Sequence, residues 1–245
     1  MLPSAPGGDI NTGMSVIYLI RHGQASFGQG NYDCLSELGR RQSGITGDAL
    51  RSLGLRFDAA YCGTMARQQD TARAVLDRLE APPSLEVAAE FNEYESGPAI
   101  KALLPAMIEE NSALAQAVPK MFSDRRSFQL VYEGAMARWI SGRYDIGEAE
   151  SWPTFLRRVE AAVDRVRGEA GRGKNVLVFS SGGPISAVTR QALGLQDETT
   201  LRLTWMIKNA SISTFFYNQR GLALSMFNST VHLEQTGDPG LITYR

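Results

Sequence analysis

Histidine is nearly absent from this chain, with two in 245 residues, His22 and His232. Cysteine is as scarce: Cys34 and Cys62 stand alone, without a CxxC spacing. That leaves too few ligands for a zinc site built from Cys and His. It also leaves no disulfide framework, so free thiols and a reducing cytosol are expected. Excess charge is missing too, since 25 Lys+Arg stand against 26 Asp+Glu for a net of −1. This balance offers no basic excess for nucleic acid or an anionic membrane. A pocket with a few arginines would vanish in such a sum. No apolar run approaches the roughly 20 residues that span a bilayer. The opening MLPSAPGGDINTG has neither the basic start nor the apolar run of a signal peptide. Residues 1–14 are expected to be a disordered tail before one domain over 15–245.

The composition is that of a globular protein, with 43% hydrophobic and 21% charged residues. Val16 to Ile20 is a short β-branched run that reads as a buried parallel strand, and it stops at Arg21-His22-Gly23. Beyond the 27–31 loop, Ser36 is a fair N-cap for a helix whose apolar face would be Leu38, Ile45, Leu50 and Leu53, with Gly54 as its stop. A second strand is expected from Phe57 to Cys62, then a helix capped by Thr64, then an extended piece at Leu85-Glu86-Val87. From about 98 to 150 the pattern turns helical without strand alternation, which reads as an insertion capping the sheet. Ser151 and Pro153 open an amphipathic helix, Asn175 to Phe179 is the clearest buried strand, and a helix after it ends near Gly194. ASISTFFYN and LALSMFN flank a Gln-Arg-Gly turn and read as a hairpin. The sum is an α/β fold of three layers: a mostly parallel sheet flanked by helices, with a helical cap insertion.

Ligands of open α/β sheets bind beyond the carboxyl ends of strands. Two such ends carry chemistry here. At one, His22 lies between Arg21 and Gly23; a neutral imidazole is a good nucleophile toward phosphorus, and a guanidinium can hold phosphoryl oxygens bidentately. At the other, Ser180-Ser181-Gly182-Gly183-Pro184 turns from strand into helix, where free backbone N–H groups face an anion. A tight turn alone would also account for those glycines. A serine hydrolase on Ser181 is disfavoured, because a GxSxG elbow needs glycine where Phe179 stands.

In order along the chain, LIRHGQASF, LSELGRRQ, CGTMARQQDTA, FNEYESG, VLVFSSGG and STVHL resemble the successive motifs of the histidine phosphatase superfamily, the phosphoglycerate mutase-like proteins. The resemblance runs from Val16 to about Leu233. It implies a phosphomonoester hydrolase acting through a phosphohistidine on His22, with Glu93 as proton donor. Arg21, Arg67, Ser181 and the Gly182 amide would hold the phosphoryl oxygens. It implies no metal and no cofactor, a small phosphorylated substrate or inorganic phosphate as ligand, and a cytoplasmic setting.

The chain departs from that pattern in one important place: Ser181 stands where the family has its second catalytic histidine. Serine donates one hydrogen bond and carries no charge. Losing one preorganised donor costs about 10²–10³ in rate, so reduced turnover is expected, and Ser181→His is expected to raise it. The alternative is a catalytically impaired relative that binds a phosphorylated ligand or a protein partner. A softer departure is Asn31, displaced from the position where mutases often carry an asparagine. Glu95 could raise the pKa of Glu93 by like charge, but reads better as a solvated loop acid. Arg125 and Arg126 are expected on a solvated helix face, His232 in a structural role, and the two thiols in packing.

Overall fold

The structure, a computed structural model, describes residues 14–26, 33–121 and 123–244. The expected tail, Met14 apart, and the 27–31 loop lie outside the described residues. Among the described residues six strands form one sheet: β1 (Ser15–Arg21), β2 (Ala59–Cys62), β3 (Leu85–Val87), β4 (Asn175–Ser180), β5 (Ile212–Asn218) and β6 (Gly221–Ser229). Their order is β3-β2-β4-β1-β5-β6. The pairs β3–β2, β2–β4 and β4–β1 are parallel, while β1–β5 and β5–β6 are antiparallel. The sheet is therefore mixed. Its parallel part carries the two strand ends singled out above, and the expected hairpin closes it.

Side chains alternate across the sheet as a period of two demands. Ile17, Leu19, Val176 and Val178 face one side, and Ile20, Leu177 and Phe179 the other. The second side is covered by α1 (Glu37–Ser52) and α2 (Ala66–Leu76), through Leu50, Ala72 and Val75. On the first side α3 (Ser96–Glu110), α4 (Ser112–Ala117) and α5 (Arg125–Ser141) form the helical stretch that interrupts the strand–helix alternation. They share that core with α6 (Trp152–Ala170) and α7 (Gly182–Leu193), where Trp152, Phe155 and Ile185 are fully buried. The chain ends through α8 (Asp197–Met206), the hairpin and α9 (Val231–Glu234).

Ser36 and Ser151 cap α1 and α6 as expected, accepting from Gly39 N at 3.0 Å and Thr154 N at 3.3 Å. Thr64 does not cap α2. Its backbone and hydroxyl are held by Asn92, and the Asp33 carboxylate accepts the Ala66 N–H at 2.8 Å instead. The face of α1 also differs from the expectation. Leu53 is exposed, and the buried positions are Gly39, Gln42, Ser43, Thr46, Gly47 and Leu50. That face is small and polar because it packs against backbone: Gln42 Nε2 donates to Leu241 O at 2.8 Å, and Gln42 Oε1 accepts from Gln24 N at 2.8 Å. Helix α8 carried no clear apolar period, since DETTLRLTWM buries only Thr200, Leu201 and Thr204.

Candidate active site

Arg21 pairs with Ser180 in the β1–β4 register, so His22 and Ser181 leave the sheet side by side. The backbone around His22 is fixed on both edges. His22 N donates to Ser180 O at 2.9 Å, and His22 O accepts from Ala210 N and Asn209 Nδ2, each at 3.2 Å. Gly23 lets α1 close over this turn: a Cβ there would stand 2.4 Å from Gly39 O.

The His22 ring is buried, and its two nitrogens are distinguished by their partners. Nδ1 lies 2.8 Å from Gly23 O, which can only accept, so Nδ1 carries the hydrogen. Nε2 lies 3.2 Å from Arg67 Nε, which can only donate, so Nε2 carries the lone pair. Both contacts require the same neutral tautomer. Burial, and after it the charges of Arg21 and Arg67, hold the imidazole well below the usual histidine range.

Arg67 comes from the first turn of α2 and is itself buried. Its Nη1 pairs with Asp33 at 2.7 Å, so one guanidinium links an acid at the rim to the imidazole. Arg21, at the end of β1, donates to Ile207 O and acts electrostatically on both His22 and Glu93.

Glu93 follows a short 3₁₀ turn after β3 and reaches across to α7. Its carboxyl accepts from Gly183 N at 3.1 Å and from Tyr94 N at 3.2 Å. Burial pushes its pKa above the ordinary carboxylate value, against the pull of those amides and of the two arginines. Glu95 is exposed and plays no part in that shift. Gly183 has no room for a side chain: a Cβ would stand 2.0 Å from Glu93 Oε1. Ser181 is fully buried beside Gly182, and its Oγ lies 2.9 Å from Gln68 Nε2.

The five side chains named from the sequence thus converge, Arg21, His22, Arg67 and Glu93 through mutual electrostatics and Ser181 through the strand register. The remaining candidates fall outside. His232 Nε2 lies 3.1 Å from both Thr46 Oγ1 and Ala210 O, a packing role. Arg125 and Arg126 are exposed in the first turn of α5. Burial pushes the Cys62 thiol up to about 11, which suits a packed side chain better than a nucleophile. Sequence reasoning missed Asp33, Gln68 and Asn209, polar residues that matter here only through partners far away in the chain.

A cleft of about 880 Å³ opens beside Glu93, walled by Met65, Asn92, Lys101, Pro105 and Arg158. A second, of about 540 Å³, lies between α5 and α8 and is lined by Arg125, Phe128, Tyr132 and Trp205. Tyr132 reaches the site through Tyr94, their hydroxyls 3.1 Å apart.

The chain is similar to the 2,3-bisphosphoglycerate-dependent phosphoglycerate mutase of Rhizobium johnstonii, 26% identical over 76% of this chain and 83% of that one. Among solved structures, the phosphoglycerate mutase of Bacillus anthracis superposes with a TM-score of 0.62 at 20% identity, covering 93% of this chain and 99% of its own. The phosphoserine phosphatase of Entamoeba histolytica, solved with 3-phosphoglyceric acid, gives a TM-score of 0.60 at 17% identity, covering 90% and 100%. The family model of the histidine phosphatase superfamily, branch 1, matches residues 17–230, a span that takes in Arg21, His22, Arg67, Glu93 and Ser181, and the chain belongs to that superfamily.

Proposed function

We propose that this chain hydrolyses a small phosphomonoester through a phosphohistidine on His22. The observation that carries this reading is the imidazole tautomer, with Nδ1–H spent on Gly23 O and the Nε2 lone pair kept available in a ring held neutral. Nε2 attacks phosphorus in line, and the bond to the leaving oxygen breaks with its electron pair going to that oxygen. Glu93, whose burial favours its protonated form, gives the leaving alkoxide its hydrogen. Arg67 moves its donor from Nε2 to a phosphoryl oxygen as the new bond forms. Arg21, Ser181 and the Gly182 amide hold the other equatorial charge. Water then attacks phosphorus while the Glu93 carboxylate takes its proton, the P–Nε2 bond breaks with its electron pair returning to the His22 ring, and inorganic phosphate leaves. The two guanidiniums supply positive charge at the phosphoryl group, and the scheme needs no metal or cofactor.

Both phosphatases and mutases lie among the similar proteins, which supports phosphoryl transfer in general. The choice of hydrolysis rests on the site. Substrate selection is assigned to the insertion from about 98 to 150, because both clefts draw walls from that stretch. We place the reaction in the cytosol on the strength of two free cysteines. A second reading, ligand binding with little turnover, draws on Ser181 and on the carboxylate of Asp33 already engaging Arg67.

The test is a screen of phosphorylated metabolites with His22→Ala as the blank, followed by acid quenching. Acid-labile phosphate trapped on the wild type and missing from His22→Ala supports the hydrolase. Saturable phosphate binding without any trapped intermediate or turnover supports the second reading.

A further inference from the structure

Gln68 and Ser181 are both fully buried, and a 2.9 Å hydrogen bond joins them. The direction of that bond follows from a third group. Gln68 Nε2 also lies 3.1 Å from Phe91 O, and a carbonyl oxygen only accepts. The amide must therefore present its nitrogen there. Both hydrogens of that nitrogen are then spent, one on Phe91 O and one on Ser181 Oγ. Ser181 is the acceptor, and its own hydroxyl hydrogen meets no acceptor among the described residues. Nor does Ser181 cap α7.

Ser181 shares this with two other buried serines, Ser211, whose Oγ has no partner among the described residues, and Ser213, whose Oγ accepts from Asn228 N, and differs from three more. Ser43 gives its hydrogen to Gly39 O, Ser180 to Phe91 O and Ser186 to Gly182 O. Local backbone carbonyls are the ordinary sink for such hydroxyls, and a buried donor without a partner is costly. The unspent hydrogen lies at the residue that the strand register sets beside His22. Arg67, which precedes Gln68 in α2, is the residue that donates to His22 Nε2. Two consecutive residues of one helix thus govern the imidazole and the hydroxyl. Room for Gln68 comes from Gly63, where a Cβ would stand 1.9 Å from Gln68 Oε1.

We propose that Gln68 is a positioning residue that donates to the Ser181 oxygen and so directs the Ser181 hydrogen to an oxygen of a bound tetrahedral oxyanion. The inference rests on the phosphoryl-site reading above and adds how a neutral serine is made to serve it. The hydroxyl is oriented before the ligand arrives, so its reorganisation cost at binding is small.

The experiment is a double-mutant cycle on orthovanadate affinity with wild type, Gln68→Met, Ser181→Ala and the double variant, each checked for folding by its Tm. Methionine keeps most of the volume and removes the donor; Gln68→Ala replaces it if the methionine variant does not fold. Each single change is expected to weaken vanadate binding about tenfold, the worth of one hydrogen bond to a charged group. The double variant should lose about tenfold as well, because Gln68 acts only through Ser181. A purely structural Gln68 would lower Tm and leave the two losses multiplicative. Multiplicative losses, or a Ser181→Ala protein that binds vanadate as the wild type does, overturn the proposal and leave the site reading standing. A wild type whose vanadate binding is absent, or indifferent to Arg67→Ala, overturns the site reading itself.

Discussion

Arg67 Nε and His22 Nε2 stand 3.2 Å apart, the guanidinium donating to the nitrogen that would attack phosphorus. The same guanidinium spans to Asp33 through Nη1 at 2.7 Å. A lysine ammonium is a point charge and cannot make both contacts in one plane. Arg67→Lys should therefore fold normally and bind vanadate more weakly by roughly 10- to 100-fold, the loss of one charged hydrogen bond. Isothermal titration measures it directly. Unchanged affinity would mean that Arg67 serves only its ion pair with Asp33.

Glu93 carries a linked prediction on stability and rate. Its folded pKa is raised, so the fold favours the protonated form. That contribution is complete below the ordinary glutamate value and is lost as pH rises through the folded value. Glu93→Gln, neutral at every pH, should consequently be more stable than wild type at neutral pH and should lose this component of the pH dependence. Turnover should fall roughly 10²–10⁴-fold, as for loss of a general acid, and least for substrates with good leaving groups. Denaturant melts from pH 4 to 8 check the sign; a destabilised Glu93→Gln at neutral pH would falsify the burial argument.

His22 works in the opposite sense. Its folded pKa is lowered, so the unfolded chain takes up the proton first and stability declines as pH falls below about 6.5. His22→Asn should remove that decline. A wild-type stability that stayed level between pH 7 and 5 would show the ring to be less sequestered than its surroundings indicate.

Ser181→His, expected from the sequence alone to raise turnover, meets an obstacle in Gln68. The serine is completely buried against the Gln68 amide, so an imidazole there overpacks the site. The single change should cost about 1–3 kcal/mol and bring no gain in rate. Combined with Gln68→Ala, which vacates the space, it should raise turnover of a generic phosphomonoester about tenfold or more, as for a regained donor. Steady-state rates of the two proteins, each against His22→Ala in its own background, decide the matter.

Gly183→Ala tests the lodging of Glu93. The new Cβ would fall 2.0 Å from Glu93 Oε1 and 2.8 Å from the Tyr94 ring, so the carboxyl must leave the Gly183 amide. Turnover should drop nearly as far as in Glu93→Gln. Gly168→Ala, in α6 with open space at its Cβ, is the control and should gain about 1 kcal/mol of helix stability. Equal activity in the two variants would show that Glu93 does not need its present seat.

Much of this arrangement was legible in the residues. Val16 to Ile20 and Asn175 to Phe179 announce buried strands because both faces of the sheet are covered there. Their ends, with the glycines that follow, locate the site. Less was legible where a polar side chain answers to a distant backbone. Thr64 looks like a cap by its type, yet Asp33 takes that office from the rim of another loop. The polar inner face of α1 reads as solvated until the C-terminal carbonyl of Leu241 is seen to meet Gln42. Gln68 has no signature of its own, since its importance depends on Phe91 and Ser181 arriving from two other segments.

The place of β1 in the sheet bears on the order in which the molecule is made. Its neighbours are β4 and β5, so that Val16 pairs with Asn175 on one edge and Phe216 on the other. β1 is made before both of its partners and waits for each of them. Pairings of such long sequence separation fold slowly. The turn at His22 is held between Ser180 on one side and Ala210 on the other, so it closes only once both of those segments are in place. A polypeptide that ends before Ser180 therefore carries the imidazole without the backbone that seats it.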